Sequence, residues 1–137
     1  VLVYRTCGGR IVFPGDAHDN TWKYVLSNHK ELVEDCAVLI APHHGRDSDR
    51  SFDFLDVLRP KLTLFGCARS EHLAYDAWDN RNLMHITNNQ AGNVLLNATK
   101  QGIEVYVENR SFAQTYETFD GMKTLHECFY IGVILKN

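Results

Sequence analysis

A short apolar run that leads directly into two adjacent histidines is the feature that most constrains how this chain can fold. Residues 36–41 are apolar throughout, which indicates a strand buried on both faces. The sequence then continues as His43, His44 and Gly45 in a polar loop. A strand that is buried on both faces is typical of a layered α/β protein with a parallel sheet.

Two further strands end in the same way. A predicted strand over residues 10–13 breaks at a proline and a glycine and leads into Asp16. A predicted strand over residues 61–68 is followed shortly by His72. Three strands therefore each lead into a loop that carries an aspartate or a histidine, and strand ends are where layered α/β proteins build their sites.

Hydrophobic periodicity and turn residues predict the other elements of an α/β fold with a mixed β-sheet flanked by helices on one face. A hairpin turns at Gly8-Gly9, and an amphipathic helix spans residues 20–34 with Asp19 or Asn20 as its cap. The remaining predictions are a helix from Ser48 or Ser51 that ends before Pro60, a short helix over 71–80, and strands over 84–87, 93–98, 103–107 and 128–135.

Composition limits the class of protein. The 137 residues fit one domain, and a net charge of −3 gives no basic excess that would advertise nucleic-acid binding. The apolar runs are too short for a membrane-spanning helix, and no signal peptide is visible. The four cysteines are far apart and form no C-x-x-C pair, so we expect buried, reduced thiols, no zinc knuckle and a cytoplasmic setting.

Four residues are candidates for chemistry because they share one side of the predicted sheet: Asp16, His43, His44 and His72. A histidine pair at a strand end can bind a metal, hold a scissile phosphate or move a proton. His18 is a competing candidate, since Asp-x-His could also supply two ligands. The structural alternatives are an aspartate that caps a helix or turn and histidines that are simply hydrogen-bonded in the loop.

The order of these motifs resembles the C-terminal half of the metallo-β-lactamase fold, in the version found in the hydrolase domain of competence-type DNA-uptake proteins and their soluble relatives. The resemblance covers residues 1–108 and leaves 109–137 as a C-terminal extension of the same globular unit. The matching motifs are Gly15-Asp16 for a "TGD" strand end, His43-His44-Gly45 for an "HHG" loop, Arg59-Pro60 for an "RP", His72 for a "GHP" loop, and Thr87 with Gly92 for a "T…G" hairpin.

The resemblance implies a role for each matching residue. Asp16 corresponds to a carboxylate that bridges two metal ions, and His72 corresponds to the last histidine ligand, although Leu73 follows it instead of proline. His43 and His44 correspond to a pair beside the metals that contacts substrate or assists proton transfer. Zinc or manganese held in this way would activate a water for attack on an ester or phosphodiester.

The chain also departs from that family. Its principal motif, H-x-H-x-D-H, belongs to the N-terminal half and is absent, so Asp16 and His72 are an incomplete ligand set where about three or four are usual. We therefore expect a fragment or a free-standing half whose apolar sheet face is covered by a second copy in a homodimer, by a complementary N-terminal half, or by the extension. The apolar 128–135 strand is the candidate for dimer contact or for an added edge strand.

Two functions from different classes follow. The first is half of a metal-dependent hydrolase that acts on phosphodiesters or nucleotides, with nucleic acid entering only as substrate and no membrane partner. The second is a catalytically inactive, truncated module that acts through dimerisation or partner binding. The retained Asp16, His43, His44 and His72 favour the first function, and the missing H-x-H-x-D-H motif favours the second.

Overall fold

A computed structural model describes residues 1–136 of the chain. The strands are β1 (Leu2–Thr6), β2 (Gly9–Phe13), β3 (Val38–Ile40), β4 (Leu62–Phe65), β5 (His85–Thr87), β6 (Val94–Ala98), β7 (Gly102–Val107), β8 (Asp120–Leu125) and β9 (Cys128–Leu135). The helices are α1 (Asp19–Asn28), α2 (Lys30–Val33), α3 (Phe54–Leu58), α4 (Tyr75–Asp79), α5 (Asn88–Ala91) and α6 (Arg110–Ala113), with 3₁₀ turns at Pro42–Gly45 and Ser70–His72.

The first sheet is mixed, as predicted, and has the order β1-β2-β3-β4-β5. β1 and β2 form the predicted antiparallel hairpin, but Thr6 pairs with Gly9, so the two turn residues are Cys7 and Gly8 and not the predicted Gly8 and Gly9. β2, β3, β4 and β5 are parallel to one another. Because they are parallel, their carboxyl ends lie at one edge of the sheet.

Short helices cover one face of this sheet and enclose the main core. Trp22 of α1 stacks on Phe54 of α3 with ring centroids 4.3 Å apart. Trp78 of α4 is fully buried and donates its indole N–H to Oγ1 of the equally buried Thr63 on β4, at 2.8 Å. Because buried polar groups need hydrogen-bond partners, this hydrogen bond allows a threonine to be buried in the centre of the sheet.

A second, antiparallel sheet of order β6-β7-β9-β8 covers the other face. Ile11 and Val38 of the first sheet belong to one buried cluster with Ile103 of β7. Leu62 and Ile86 of the first sheet belong to another cluster with Ile131 of β9. The chain thus covers the apolar face with its own residues, and the 109–136 extension supplies part of that cover through α6 and β9.

The sequence predicts a single mixed sheet, so the second sheet is a correction, and one alternative for residues 128–135 and the predicted Thr87–Gly92 hairpin are also wrong. β9 has the predicted bounds but lies between β7 and β8, so it is an interior strand and not an added edge. β5 and β6 belong to different sheets, so the Thr87–Gly92 segment is a crossover through one helical turn and not a hairpin. The sheet to which a strand belongs, and its place in that sheet, depend on pairing with strands that are distant in sequence. The pattern of a single segment does not reveal such pairing.

The first long helix also differs from its prediction in detail. The predicted 20–34 helix breaks at His29, whose backbone leaves the helical region (φ −143°, ψ 28°), and so becomes α1 and α2. Neither predicted cap is used, because the residue at the capping position is His18 and its side chain makes no capping hydrogen bond. The carboxylate of Asp19 instead accepts the backbone N–H of Ser51 at 3.2 Å, which fastens α1 to the loop before α3.

The cysteines divide into two kinds. Cys36 and Cys128 are buried thiols as expected, whereas Cys7 and Cys67 are exposed, which corrects the prediction for those two. Burial raises the pKa of the Cys36 thiol to about 12, so this group stays protonated and unreactive at neutral pH. Among residues 1–136 no helix has the length and apolar character needed to cross a bilayer.

Candidate functional site

The loops that follow the parallel strands meet at one edge of the first sheet. β2 ends at Phe13 and is followed by Asp16; β3 ends at Ile40 and is followed by His43 and His44; β4 ends at Phe65 and is followed by His72. All four candidate residues therefore lie in loops at the carboxyl edge. This is the position where open parallel sheets bind ligands.

The two histidines occupy an uncommon backbone conformation. His43 (φ 50°, ψ 42°) and His44 (φ 62°, ψ 12°) are both left-handed, and Gly45 follows with φ 85°. A left-handed residue that is not glycine costs roughly 1–2 kcal/mol, so two in succession need support from their surroundings. Strain that is held in place in this way is commonest at functional sites.

That support comes from hydrogen bonds to the neighbouring strand ends. The backbone N–H of His43 donates to the carbonyl of Gly15 at 3.0 Å, on the loop after β2. The carbonyl of His44 accepts the N–H of Gly66 at 3.2 Å, immediately after β4. The histidine turn is thus fixed between the ends of both neighbouring strands.

Arg50 lies beneath this turn and is a functional candidate that sequence reasoning missed. It is only 9% exposed. Its guanidinium donates to the carbonyls of Ala17 at 3.0 Å and Asp16 at 3.3 Å, to Ser48 Oγ, and to Nδ1 of His43 at 3.5 Å. None of the ion pairs found within residues 1–136 involves Arg50, so a buried cation is surrounded by neutral acceptors.

No local signal would have identified Arg50. It follows a run of charged and small polar residues after the histidines, and such a run is typical of a solvated loop. Its burial depends on two carbonyls more than thirty positions earlier in the chain. Only the fold brings these groups together.

A cavity of about 310 Å³ opens beside Arg50. It is lined by Asp16, His18, His43, Ser48, Asp49 and Arg50. The structure therefore brings together two of the predicted site residues, Asp16 and His43, along with the competing candidate His18. The cavity presents a cation, two imidazoles, a hydroxyl and two carboxylates to a ligand.

The other two predicted residues lie outside the lining of that cavity. The ring of His44 faces Gly66, where a Cβ atom would come within 2.7 Å of its Nδ1 atom. His72 is exposed, and its Nε2 atom lies 3.4 Å from a carboxylate oxygen of Glu71. The backbone of His72 is nevertheless fastened to the histidine loop, because its carbonyl accepts the N–H of Asp47 at 2.8 Å.

Two residues matched by the resemblance have structural roles. Thr87 caps α5, since its hydroxyl accepts the backbone N–H of Gln90 at 3.2 Å. Gly92 has φ +69°, and a Cβ atom there would lie 2.7 Å from a carboxylate oxygen of Glu108. Both residues serve the crossover between the two sheets and not the cavity.

The described residues do not fit a complete zinc or manganese site. Within residues 1–136, no group of three or more His, Cys, Asp and Glu side chains is arranged so that it could hold a metal ion. Asp16 and His72 are the predicted ligands, and this part of the chain adds no third one to them. A stable site for either ion usually needs about three or four protein ligands.

No protein-family model, no curated protein and no solved structure matches this chain. Function is therefore inferred from the strand-end loops and from the order of motifs in the sequence.

Proposed function

We propose that this chain carries the substrate-binding half of a metallo-β-lactamase-like hydrolase that acts on phosphodiesters or nucleotides. The observation that carries the proposal is the histidine turn. His43 is held in a left-handed conformation between two strand ends, beside the buried cation of Arg50 and on a cavity at the carboxyl edge. A constrained imidazole next to a buried guanidinium suits an anionic substrate.

The contact between Arg50 and His43 assigns a role to each nitrogen of the imidazole. A guanidinium can only donate hydrogen bonds, so Nδ1 of His43 accepts and the ring proton resides on Nε2. Nε2–H is then available to donate to a phosphate oxygen or to pass a proton to a leaving group. Arg50 supplies the positive charge of a lining that also carries the carboxylates of Asp16 and Asp49, and it forms an ion pair with neither of them.

The carboxylates on the cavity make the proposed ligand more specific. Asp16 and Asp49 also line it, and carboxylates accept hydrogen bonds from hydroxyl groups. A ligand that offers both a phosphate and sugar hydroxyls would satisfy both kinds of group. A nucleotide or a dinucleotide has this chemistry, which agrees with the substrate class that the resemblance implies.

The proposal includes no chemical step through a metal. The resemblance makes Asp16 and His72 metal ligands, and the described residues do not complete the set. Completion would require another segment or another chain. Under this proposal residues 1–136 bind the substrate and do not turn it over by themselves.

The second candidate function is a catalytically inactive module that acts through dimerisation or partner binding. The observation that favours it is the same lack, within residues 1–136, of a group able to hold a metal ion. The two candidates differ in one measurable property. That property is nucleotide binding at the His43 cavity, which we expect of the hydrolase half and not of the inactive module.

The test is a titration of ¹⁵N-labelled protein with a dithymidine monophosphate phosphodiester, followed by NMR. We expect shifts at the amides of Gly15, Asp16 and residues 43–46, and we expect His43→Ala to weaken binding about tenfold or more. His126→Ala is the matched control, because His126 is exposed in the turn between β8 and β9. Shifts elsewhere only, or equal binding by the His43 variant, would refute the proposal and favour the inactive module.

A further inference from the structure

A second cavity lies at the opposite, amino edge of the first sheet and is strongly basic. Its volume is about 410 Å³. Its lining includes four cationic side chains and one carboxylate: Arg5, Arg10, Lys61, Lys136 and Asp35. Since the chain as a whole has a net charge of −3, this cavity concentrates positive charge against the overall balance.

Two of these cations face each other across a strand pair. Arg5 of β1 and Arg10 of β2 are directly opposite in the antiparallel register. Directly opposite residues project from the same face of a sheet, and like charges in that position are destabilising. The hairpin therefore keeps a like-charge pair that a bound anion would stabilise.

Arg10 is held in place by neutral groups, and neither arginine of the pair takes part in an ion pair among residues 1–136. Arg10 donates to the backbone carbonyls of Glu31 at 2.5 Å and Glu34 at 2.6 Å, which fixes its guanidinium through neutral acceptors. Lys61 donates from Nζ to the carbonyl of Leu135 at 2.8 Å, which brings that ammonium group to the same cavity.

We propose that this basic cavity binds the phosphate groups of a small dianion or polyanion, either free or at the end of a nucleotide. Its volume is within the range of small-molecule sites. Guanidinium groups bind phosphate oxygens through paired, charge-assisted hydrogen bonds, and lysines add point charge. The site is at the other edge of the sheet from His43, so it is independent of the proposed function.

The experiment titrates inorganic pyrophosphate into the ¹⁵N-labelled protein and follows the amides by NMR. We expect shifts concentrated at residues 5–10, Lys61 and Lys136. Arg5→Gln and Lys136→Gln should each weaken binding about tenfold, as expected for the loss of one charge-assisted contact. Lys23→Gln is the matched control, because Lys23 is exposed on α1 and does not line the cavity.

A second readout separates binding from folding. In the absence of anion, Arg5→Gln should raise the melting temperature by roughly 1–4 °C, because it removes the repulsion from Arg10. In its presence, pyrophosphate should raise the melting temperature of the parent chain more than that of the variant. Arg10→Lys, which keeps the charge but loses the fork of the guanidinium, should bind with intermediate affinity.

Uridine diphosphate, titrated in parallel, distinguishes the two sources of phosphate. Tighter binding of the nucleotide than of pyrophosphate would assign the cavity to nucleotides, and equal binding would assign it to free phosphates. The proposal is overturned if neither anion shifts the amides of residues 5–10. It is equally overturned if Arg5→Gln and Lys136→Gln bind pyrophosphate as tightly as the parent chain does.

Discussion

Nη1 of Arg50 lies 3.5 Å from Nδ1 of His43, and because a guanidinium can only donate, this contact favours the tautomer of His43 with its proton on Nε2. We expect ¹⁵N NMR of the parent chain at neutral pH to show His43 with a bare Nδ1 and a protonated Nε2. Arg50→Met removes the donor, so His43 should then show a mixture of tautomers.

The same substitution should also destabilise the fold. The carbonyls of Asp16 and Ala17 lose their donor, which is expected to cost about 1–3 kcal/mol in unfolding free energy measured with urea. Arg46→Met is the control, because Arg46 is exposed in the same loop. An unchanged tautomer in Arg50→Met would show that the contact does not set the protonation of His43.

Gly66→Ala should displace the ring of His44. The new Cβ atom would lie 2.7 Å from Nδ1 of His44, which is too close for both groups to keep their positions. We expect altered ¹³C and ¹⁵N shifts for the His44 ring and a lower free energy of unfolding. Gly15→Ala is a useful comparison, since nothing lies within 4 Å of its new Cβ atom and its cost comes only from the backbone at φ +58°. Equal His44 shifts in both variants would contradict the steric explanation.

The two tryptophans should respond differently to the same change. Trp78→Phe leaves the buried Thr63 hydroxyl without the indole donor and should cost about 1–3 kcal/mol for that loss alone. The indole N–H of Trp22 is buried with no partner among the described residues, so Trp22→Phe removes an unsatisfied donor and should cost less. Urea unfolding of both variants tests this order, and a larger loss for Trp22→Phe would contradict it.

The hydrogen bonds of Glu104 on the second sheet should make the free energy of unfolding depend on pH in the acid range. A hydrogen bond from Lys123, with smaller contributions from Asn97 and Tyr106, holds the pKa of Glu104 below its ordinary 4.5. A depressed carboxyl pKa stabilises the fold fully above the unfolded-state value, and this stabilisation is lost as the pH falls. We therefore expect the difference in urea midpoint between the parent chain and Glu104→Gln to shrink as the pH falls below about 4.5.

The control for that experiment is Glu117→Gln, since Glu117 is exposed and outside the Glu104 network. Its difference from the parent chain should not follow the same pH profile. A constant difference for Glu104→Gln across the acid range would mean that the Lys123 contact does not influence folding.

Local patterns in the sequence were sufficient for the first sheet. The continuous apolar run before the histidines is characteristic of a strand buried on both faces, and β3 lies there between β2 and β4. The glycine pair predicted the hairpin with its turn one residue too late, and the proline marked the end of β2 correctly. Placing three strand ends on one edge followed from the parallel arrangement alone.

What the sequence could not supply depends on contacts between distant segments. β8 was not predicted, because its residues alternate between exposed and half-buried and it pairs only with β9. The burial of Arg50 depends on carbonyls that are distant in sequence. The fold also decides that His43 lines the cavity whereas His44 and His72 do not. Such features are properties of the packed structure and not of any segment of it.

The interior position of β9 has a consequence for how the molecule assembles. β8 has no partner until β9 arrives, and the face of the first sheet that contains Leu62 and Ile86 is only partly covered by β6 and β7 until then. During synthesis, at about 5–20 residues per second, the chain up to β8 therefore spends about a second or more with apolar surface and a bare strand edge exposed. Expression at lower temperature or with holdase chaperones should accordingly improve the yield of soluble protein more than added stability does.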